Sequence, residues 1–278
     1  MNRKPSQPCA PVRLDGWSAF GATDAGRVRR ENQDRFVISP HARLLAVADG
    51  MGGHAFGARA STVALERITA SLARAVDELT AHSFDATRDA DPDATVLDAS
   101  LNATRVLTAA LDDANATLHA INVREGIGTH RSMGTTVTGI WLPPGSAMLY
   151  AFHVGDSRLY RCRDGALAQL TRDQTLLQQA LETGDFEHLP PRNMLLQALG
   201  PEPSITPEIR AHAARPGDRF LLCSDGLHGE VPHHEVERVL AQMQPEQAEA
   251  ACRRLIELAC DAGGKDNVTV VIACVEGG

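Results

Sequence analysis

Two kinds of apolar pattern alternate along this chain. Leu65, Ile68, Leu72, Val76 and Leu79 recur every three or four positions and predict an amphipathic helix over residues 58–79. Leu97, Leu101, Leu107, Leu111, Leu118 and Ile121 keep the same period and predict a second helix. The polar, acidic stretch 81–93 between them reads as a surface loop. Elsewhere the apolar residues come in short runs closed by turn residues: 17–23, 44–48, 135–142, 148–154, 159–162, 167–170, 219–223 and 268–275. Such runs predict strands, with hairpin turns at Pro143, Pro144 and Gly145 and at Arg163, Asp164 and Gly165. The last run is apolar on both faces, which predicts a central strand. Further helical stretches are expected near 176–182 and over 245–261. A helix pair followed by a block of strands suits an α+β fold, with helices packed on antiparallel sheets.

Composition narrows the possibilities. The 278 residues carry 35 acidic and 27 basic side chains, a net charge of −8, which excludes a general nucleic-acid binder. No apolar run reaches the length of about 18 residues that a membrane span requires. Residues 1–15 hold Arg3 and Lys4 but no apolar segment of the kind a secretory signal needs. They are expected to form a disordered tail ahead of one domain over 16–278. The six cysteines are scattered, with no C-x-x-C pair and no zinc spacing, so a reducing, cytoplasmic setting is expected.

Four aspartates share one kind of address, beside a predicted strand end at a glycine or asparagine turn: Asp49, Asp156, Asp225 and Asp266. One such residue is most simply a turn former. Four carboxylates brought together would repel unless cations joined them, and all-oxygen ligands suit Mg²⁺ or Mn²⁺. The pattern therefore points to a two-metal site that activates water against a phosphoryl group. The segment from Thr23 to Asp34 sets arginines among acids; beside a metal site an arginine is a bidentate phosphate clamp. Asp89, Asp91 and Asp93 mimic the start of a calcium loop, but Ala94 stands where that loop needs glycine. His233 and His234 follow a proline and read as surface residues, and Ser157 lacks the G-x-S-x-G setting of a nucleophilic serine.

The ordered series T-D-x-G-x-V-R-x-x-N-x-D from Thr23, V-A-D-G-M-G-G-H from Val47, M-G-T-T from Met133, V-G-D-S-R from Val154, T-R-D-x-T from Thr171, C-S-D-G-L from Cys223 and G-G-K-D-N-V-T-V-V from Gly263 resembles the bacterial branch of the protein phosphatase 2C family. The likeness covers nearly the whole chain. It implies a β-sandwich of two antiparallel sheets flanked by helices on both sides, with a flap subdomain at about residues 171–200. It also implies a metal-dependent serine/threonine protein phosphatase, in which metal-activated water attacks phosphoserine or phosphothreonine directly. Two Mn²⁺ or Mg²⁺ ions are expected to be held firmly and a third more weakly. Asp49 would bridge the two firm ions, with the carbonyl of Gly50, Asp225 and Asp266 completing their ligands, and Asp156 would serve the weaker third site. Arg29 would hold the substrate phosphate, Asp34 would order water behind the metals, and His54 is a candidate acid. Substrates would be the products of a serine/threonine kinase. The chain departs from the family pattern at Gln33, in an Asn-Gln-Asp where Asn-Glu-Asp is common. It departs again at Gly229, where an aspartate is common, with Glu230 next to it, and these changes are expected to weaken the second and third metal sites.

Overall fold

The structure is a computed structural model that describes residues 12–52, 55–83, 92–126, 132–184, 186 and 189–277. Thirteen strands and six helices occur among them. In chain order they are β1 (Val12–Leu14), β2 (Trp17–Asp24), β3 (Arg35–Ser39), β4 (Leu44–Ala48), β5 (Gly50–Met51), α1 (Ala55–Ser83), α2 (Pro92–Arg124), β6 (Gly134–Thr135), β7 (Val137–Trp141), β8 (Met148–Val154), β9 (Arg158–Arg163), β10 (Ala166–Gln169), α3 (Leu176–Thr183), β11 (Glu208–Ala213), β12 (Arg219–Cys223), α4 (Asp225–His228), α5 (His233–Gln242), α6 (Ala248–Asp261) and β13 (Val268–Val275).

Two antiparallel sheets stack face to face. One has the order β1-β2-β13-β12-β9-β10 and the other β11-β8-β7-β4-β3, with a short β5-β6 pair beside them. The side chains of β13 show why the strand is central. Val268, Val270, Ile272 and Cys274 face the cluster built with α5 and α6, while Val271 and Ala273 enter the layer between the sheets. That middle layer joins Trp17, Phe220 and Leu222 of one sheet to Leu45, Val47 and Ile140 of the other. A third cluster packs α1 and α2 on the second sheet through Ile68, Leu72, Leu107, Leu111 and Leu118. In α6, Ala248, Ala251, Cys252, Leu255, Ile256 and Ala259 are buried, which is the three-and-four spacing of a half-buried helix. The layers thus run helix, sheet, sheet, helix.

The expected α+β sandwich is what forms, with local corrections. Val12–Leu14, placed in the tail by sequence, pair with β2, so any tail ends before Val12; residues 1–11 lie outside the described residues. The helices α1 and α2 extend to Ser83 and from Pro92, taking up both ends of the expected 81–93 loop. The calcium-like acids Asp89 and Asp91 lie outside the described residues. The edge strands β3 and β11 and the helix α5 were not expected. Both strands pair on one side only, and each carries polar residues, Arg35 and Ser39 in β3 and Glu208, Arg210 and His212 in β11. Among the described residues no helix is long and apolar enough to cross a membrane.

Candidate active site

The sheet register gathers the four turn aspartates. Strands β4 and β8 both run antiparallel to β7, so both end at the same edge of their sheet, where Asp49 and Asp156 follow. In the other sheet β12 runs antiparallel to β13, which sets Asp225, just after β12, beside Asp266, just before β13. All four line one cleft of about 240 Å³, together with Arg29, Gln33, Gly50, Thr136, Asn193, Leu195 and Asn267. A smaller compartment of about 140 Å³ adjoins it, lined by Asp156, Asp225, Arg158, Asp173, Arg192 and His228 among others.

Backbone hydrogen bonds fix Asp49. Its amide donates to Thr136 Oγ1 (3.1 Å), and its carbonyl accepts from Thr136 N (2.9 Å) and Thr135 Oγ1 (2.9 Å). Thr136 Oγ1 lies 2.7 Å from Ser157 Oγ, so the hydroxyl of Ser157 ties the Asp49 turn to the Asp156 turn. This accounts for Ser157 as a structural serine. Gly50 is buried in the short β5-β6 pair, opposite Thr135. Arg29 Nη2 donates to Asp266 Oδ2 at 2.7 Å, from a side chain that is half exposed at the cleft mouth.

The loop that carries Arg29 is sewn to the Asp266 turn. The amides of Arg27 and Val28 donate to Gly264 O (2.7 and 3.2 Å). Asn267 donates from Nδ2 to the carbonyls of Ala25 (3.0 Å) and Glu31 (2.9 Å) and accepts from Gln33 N at Oδ1 (2.9 Å). Gly26 lies under this seam with φ of 75°, where an added Cβ would sit 2.2 Å from Asp266 O, so glycine is required there. The sequence reading missed this use of Asn267; the signal was its place directly after Asp266.

Asp34 stands behind the cleft rather than in it. It is fully buried, accepts from Ser224 Oγ at 2.7 Å, and has one carboxylate oxygen without a partner. Burial pushes it up to about 6, despite its hydrogen bonds from Ser224 and Thr269, with Asp225 and Asp266 adding to the rise. Asp49 is raised well above the usual carboxylate range, first by the enclosing protein and then by Asp34, Asp225, Asp156 and Asp266. Asp156 is pushed up to about 7 by burial and then by Asp225 and Asp173. Asp225 is raised by burial and by Asp266, against the opposing charge of Arg192, and its buried Oδ1 has no partner.

Carboxylates that raise one another, one of them a cleft residue with an unpartnered buried oxygen, form a site that cations suit. The donors are oxygens, as hard divalent ions require. Among the described residues no three His, Cys, Asp or Glu side chains close around a single point.

His54 lies outside the described residues. His228, which was not singled out, borders the smaller compartment, but burial lowers it to about 3 and its ring Nε2 is engaged with Asp156 O (3.0 Å), so it is a poor proton donor at neutral pH. Glu230, next to the position where an aspartate is common, is held by Lys265 (3.2 Å) with Arg192 nearby (3.9 Å). Arg192 Nη1 donates to Gly229 O at 2.7 Å, and an added Cβ at Gly229 would lie 2.1 Å from Arg192 Nη2. A guanidinium therefore fills the place that an aspartate side chain would take.

A family model described as Protein phosphatase 2C matches residues 25–258, and the chain belongs to that family. It is 40% identical over 260 residues to the serine/threonine protein phosphatase PstP of Mycobacterium tuberculosis, covering 91% of this chain and 44% of PstP. The chain thus spans less than half the length of that relative. It is 29% identical to the serine/threonine phosphatase stp of Listeria monocytogenes, over 90% of this chain and 92% of stp. Among solved structures it resembles the catalytic domain of PstP in complex with two manganese ions, at 35% identity and a TM-score of 0.71, covering 94% of this chain and 99% of that one.

Proposed function

We propose that this chain is a phosphoserine/phosphothreonine protein phosphatase dependent on Mn²⁺ or Mg²⁺. The observation that carries the proposal is the convergence of Asp49, Asp156, Asp225 and Asp266 on one cleft with Arg29 at its mouth. Asp49 would be shared by two firmly held ions, with the Gly50 carbonyl, Asp225 and Asp266 as their further ligands. Asp156 and Asp225 would serve a third, weaker site, since both also face the smaller compartment. When bound, the ions would acidify water and offset the charge of the phosphoryl group.

The chain's own groups do the rest. Arg29, released from Asp266, presents a planar pair of donors to the incoming phosphate. Asp34, fixed by Ser224, would order water behind the metal ligands. Gln33 lines the cleft as a neutral group where an acid is common in the family. The substrates are proteins phosphorylated by a serine/threonine kinase. The cytoplasmic setting belongs to the same reading and is supported by Cys162, Cys223, Cys252, Cys260 and Cys274, which are buried and form no disulfide among the described residues.

The test is phosphate release from a phosphothreonine peptide. Turnover should require added Mn²⁺ or Mg²⁺, stop with chelator and return on readdition. Turnover that is indifferent to chelator, or none in any divalent metal, would refute the proposal.

A further inference from the structure

Residues 171–184 leave the core after β10, and residues 189–197 form one wall of the cleft through Asn193 and Leu195. The helix α3 buries none of its residues, so it contributes little to a core. Several of the bonds that hold the segment in place meet at one buried residue, Gln174, through both its backbone and its side chain. The Gln174 amide donates to Gly155 O (2.8 Å), and the Gly155 amide donates back to Gln174 Oε1 (2.8 Å). The same Oε1 also accepts from Gln197 Nε2 (2.9 Å). The Gln174 carbonyl accepts from Leu196 N (2.8 Å), and Leu176 N donates to Met194 O (2.9 Å). Gln197 is in turn fixed to Thr206 through both its amide groups, at 2.7 and 2.9 Å.

We infer that Gln174 is a positioning residue for the proposed reaction, acting through Asn193 and Leu195. It locks the outgoing and returning strands of the flap to Gly155, the neighbour of Asp156, so that one carboxamide oxygen registers the cleft wall against the carboxylates. The inference rests on the proposed phosphatase activity and names what aligns the protein substrate within it. A phosphorylated peptide must lie along the wall that carries Asn193 and Leu195, whereas a small aryl phosphate needs only the carboxylates and Arg29. Losing the clamp should therefore weaken peptides selectively.

The experiment compares wild type, Gln174→Leu and Gln174→Glu on a phosphothreonine peptide and on p-nitrophenyl phosphate, with amide hydrogen exchange at Gly155 and Leu196 as a second readout. Gln174→Leu has no acceptor for the two donors and should raise the peptide KM about tenfold, the order expected for loss of one or two buried hydrogen bonds. Its turnover of the aryl phosphate should stay within about twofold, since the carboxylates are untouched. The Gly155 and Leu196 amides should exchange faster in this variant. Gln174→Glu keeps an oxygen at the same place and should recover most of the peptide KM and the protection. If Gln174→Leu does not fold, Gln197→Ala, which removes one donor to the same oxygen, should show the same split. Equal losses on both substrates, or no change in peptide KM, would overturn the inference. An inactive wild type would instead overturn the proposed function.

Discussion

Replacing Asn267 by alanine should separate the loop that carries Arg29 from the Asp266 turn. The side chain is 4% exposed and makes three hydrogen bonds, two donated to the carbonyls of Ala25 and Glu31 and one accepted from the amide of Gln33. At about 1 kcal/mol for each bond, and more where a buried group is left without a partner, the loss should be about 3 kcal/mol. Asn267→Asp sharpens the test. It keeps the oxygen that accepts from Gln33 but turns a second oxygen toward two carbonyls, so it should destabilise at least as much at neutral pH and recover as the pH falls. Urea unfolding measures the stability, and phosphopeptide kinetics measure the consequence. Because Arg27 and Val28 remain bonded to Gly264, the loop should loosen rather than detach, and KM should rise about tenfold, within the cost of a disturbed charge-assisted contact. A stability loss below about 0.5 kcal/mol, the range of a neutral surface change, with an unchanged KM would refute this account of the loop.

Three further outcomes follow from the site. Arg29→Ala should lower kcat/KM for phosphopeptide about ten- to a hundredfold, mainly through KM and with little change in metal affinity, as steady-state kinetics and metal titration would show. In the folded chain Asp34 is raised from 3.8 to about 6 and Asp156 from 3.8 to about 7. The folded state therefore holds protons that the unfolded state has released, and these groups withdraw stability as the pH rises through that window. Calorimetry of chelator-treated protein should show the melting temperature gained on adding Mn²⁺ growing from pH 5 to pH 8; a gain independent of pH would contradict the assignment. Gly229→Asp must displace the Arg192 guanidinium, which an added Cβ would approach to 2.1 Å, and it should strengthen binding of a third ion in a Mn²⁺ titration, while Asp156→Ala should weaken that ion alone.

The parts of the fold that were legible in sequence are those whose burial is one-sided and regular. The period of α1, α2 and α6 and the apolar runs of β4, β12 and β13 survive because each faces a continuous core. Strands β3 and β11 did not announce themselves, since an edge strand pairs on one side and tolerates polar residues such as Arg35, Arg210 and His212. The four aspartates were legible because strand ends and turn residues mark their positions. Arg192 was not. Its approach to Gly229 joins residues far apart in sequence, and no local pattern predicts that a guanidinium fills the space left by an absent side chain. Gln174 was hidden for a similar reason, because its bonds to Gly155 and Gln197 join residues that are apart in sequence.

The central claim is that these carboxylates hydrolyse phosphoproteins through cations they hold in common, and Asp49 is the residue on which that claim turns. The most direct measurement is the initial rate of phosphate release from a phosphothreonine peptide by Asp49→Asn at saturating Mn²⁺, beside wild type. A neutral amide at that position cannot be shared by two cations, so the variant should stay folded and lose about a hundred- to a thousandfold in rate, a cost typical of removing a principal electrostatic element of a site. A rate within about tenfold of wild type, with metal still bound, would contradict the account.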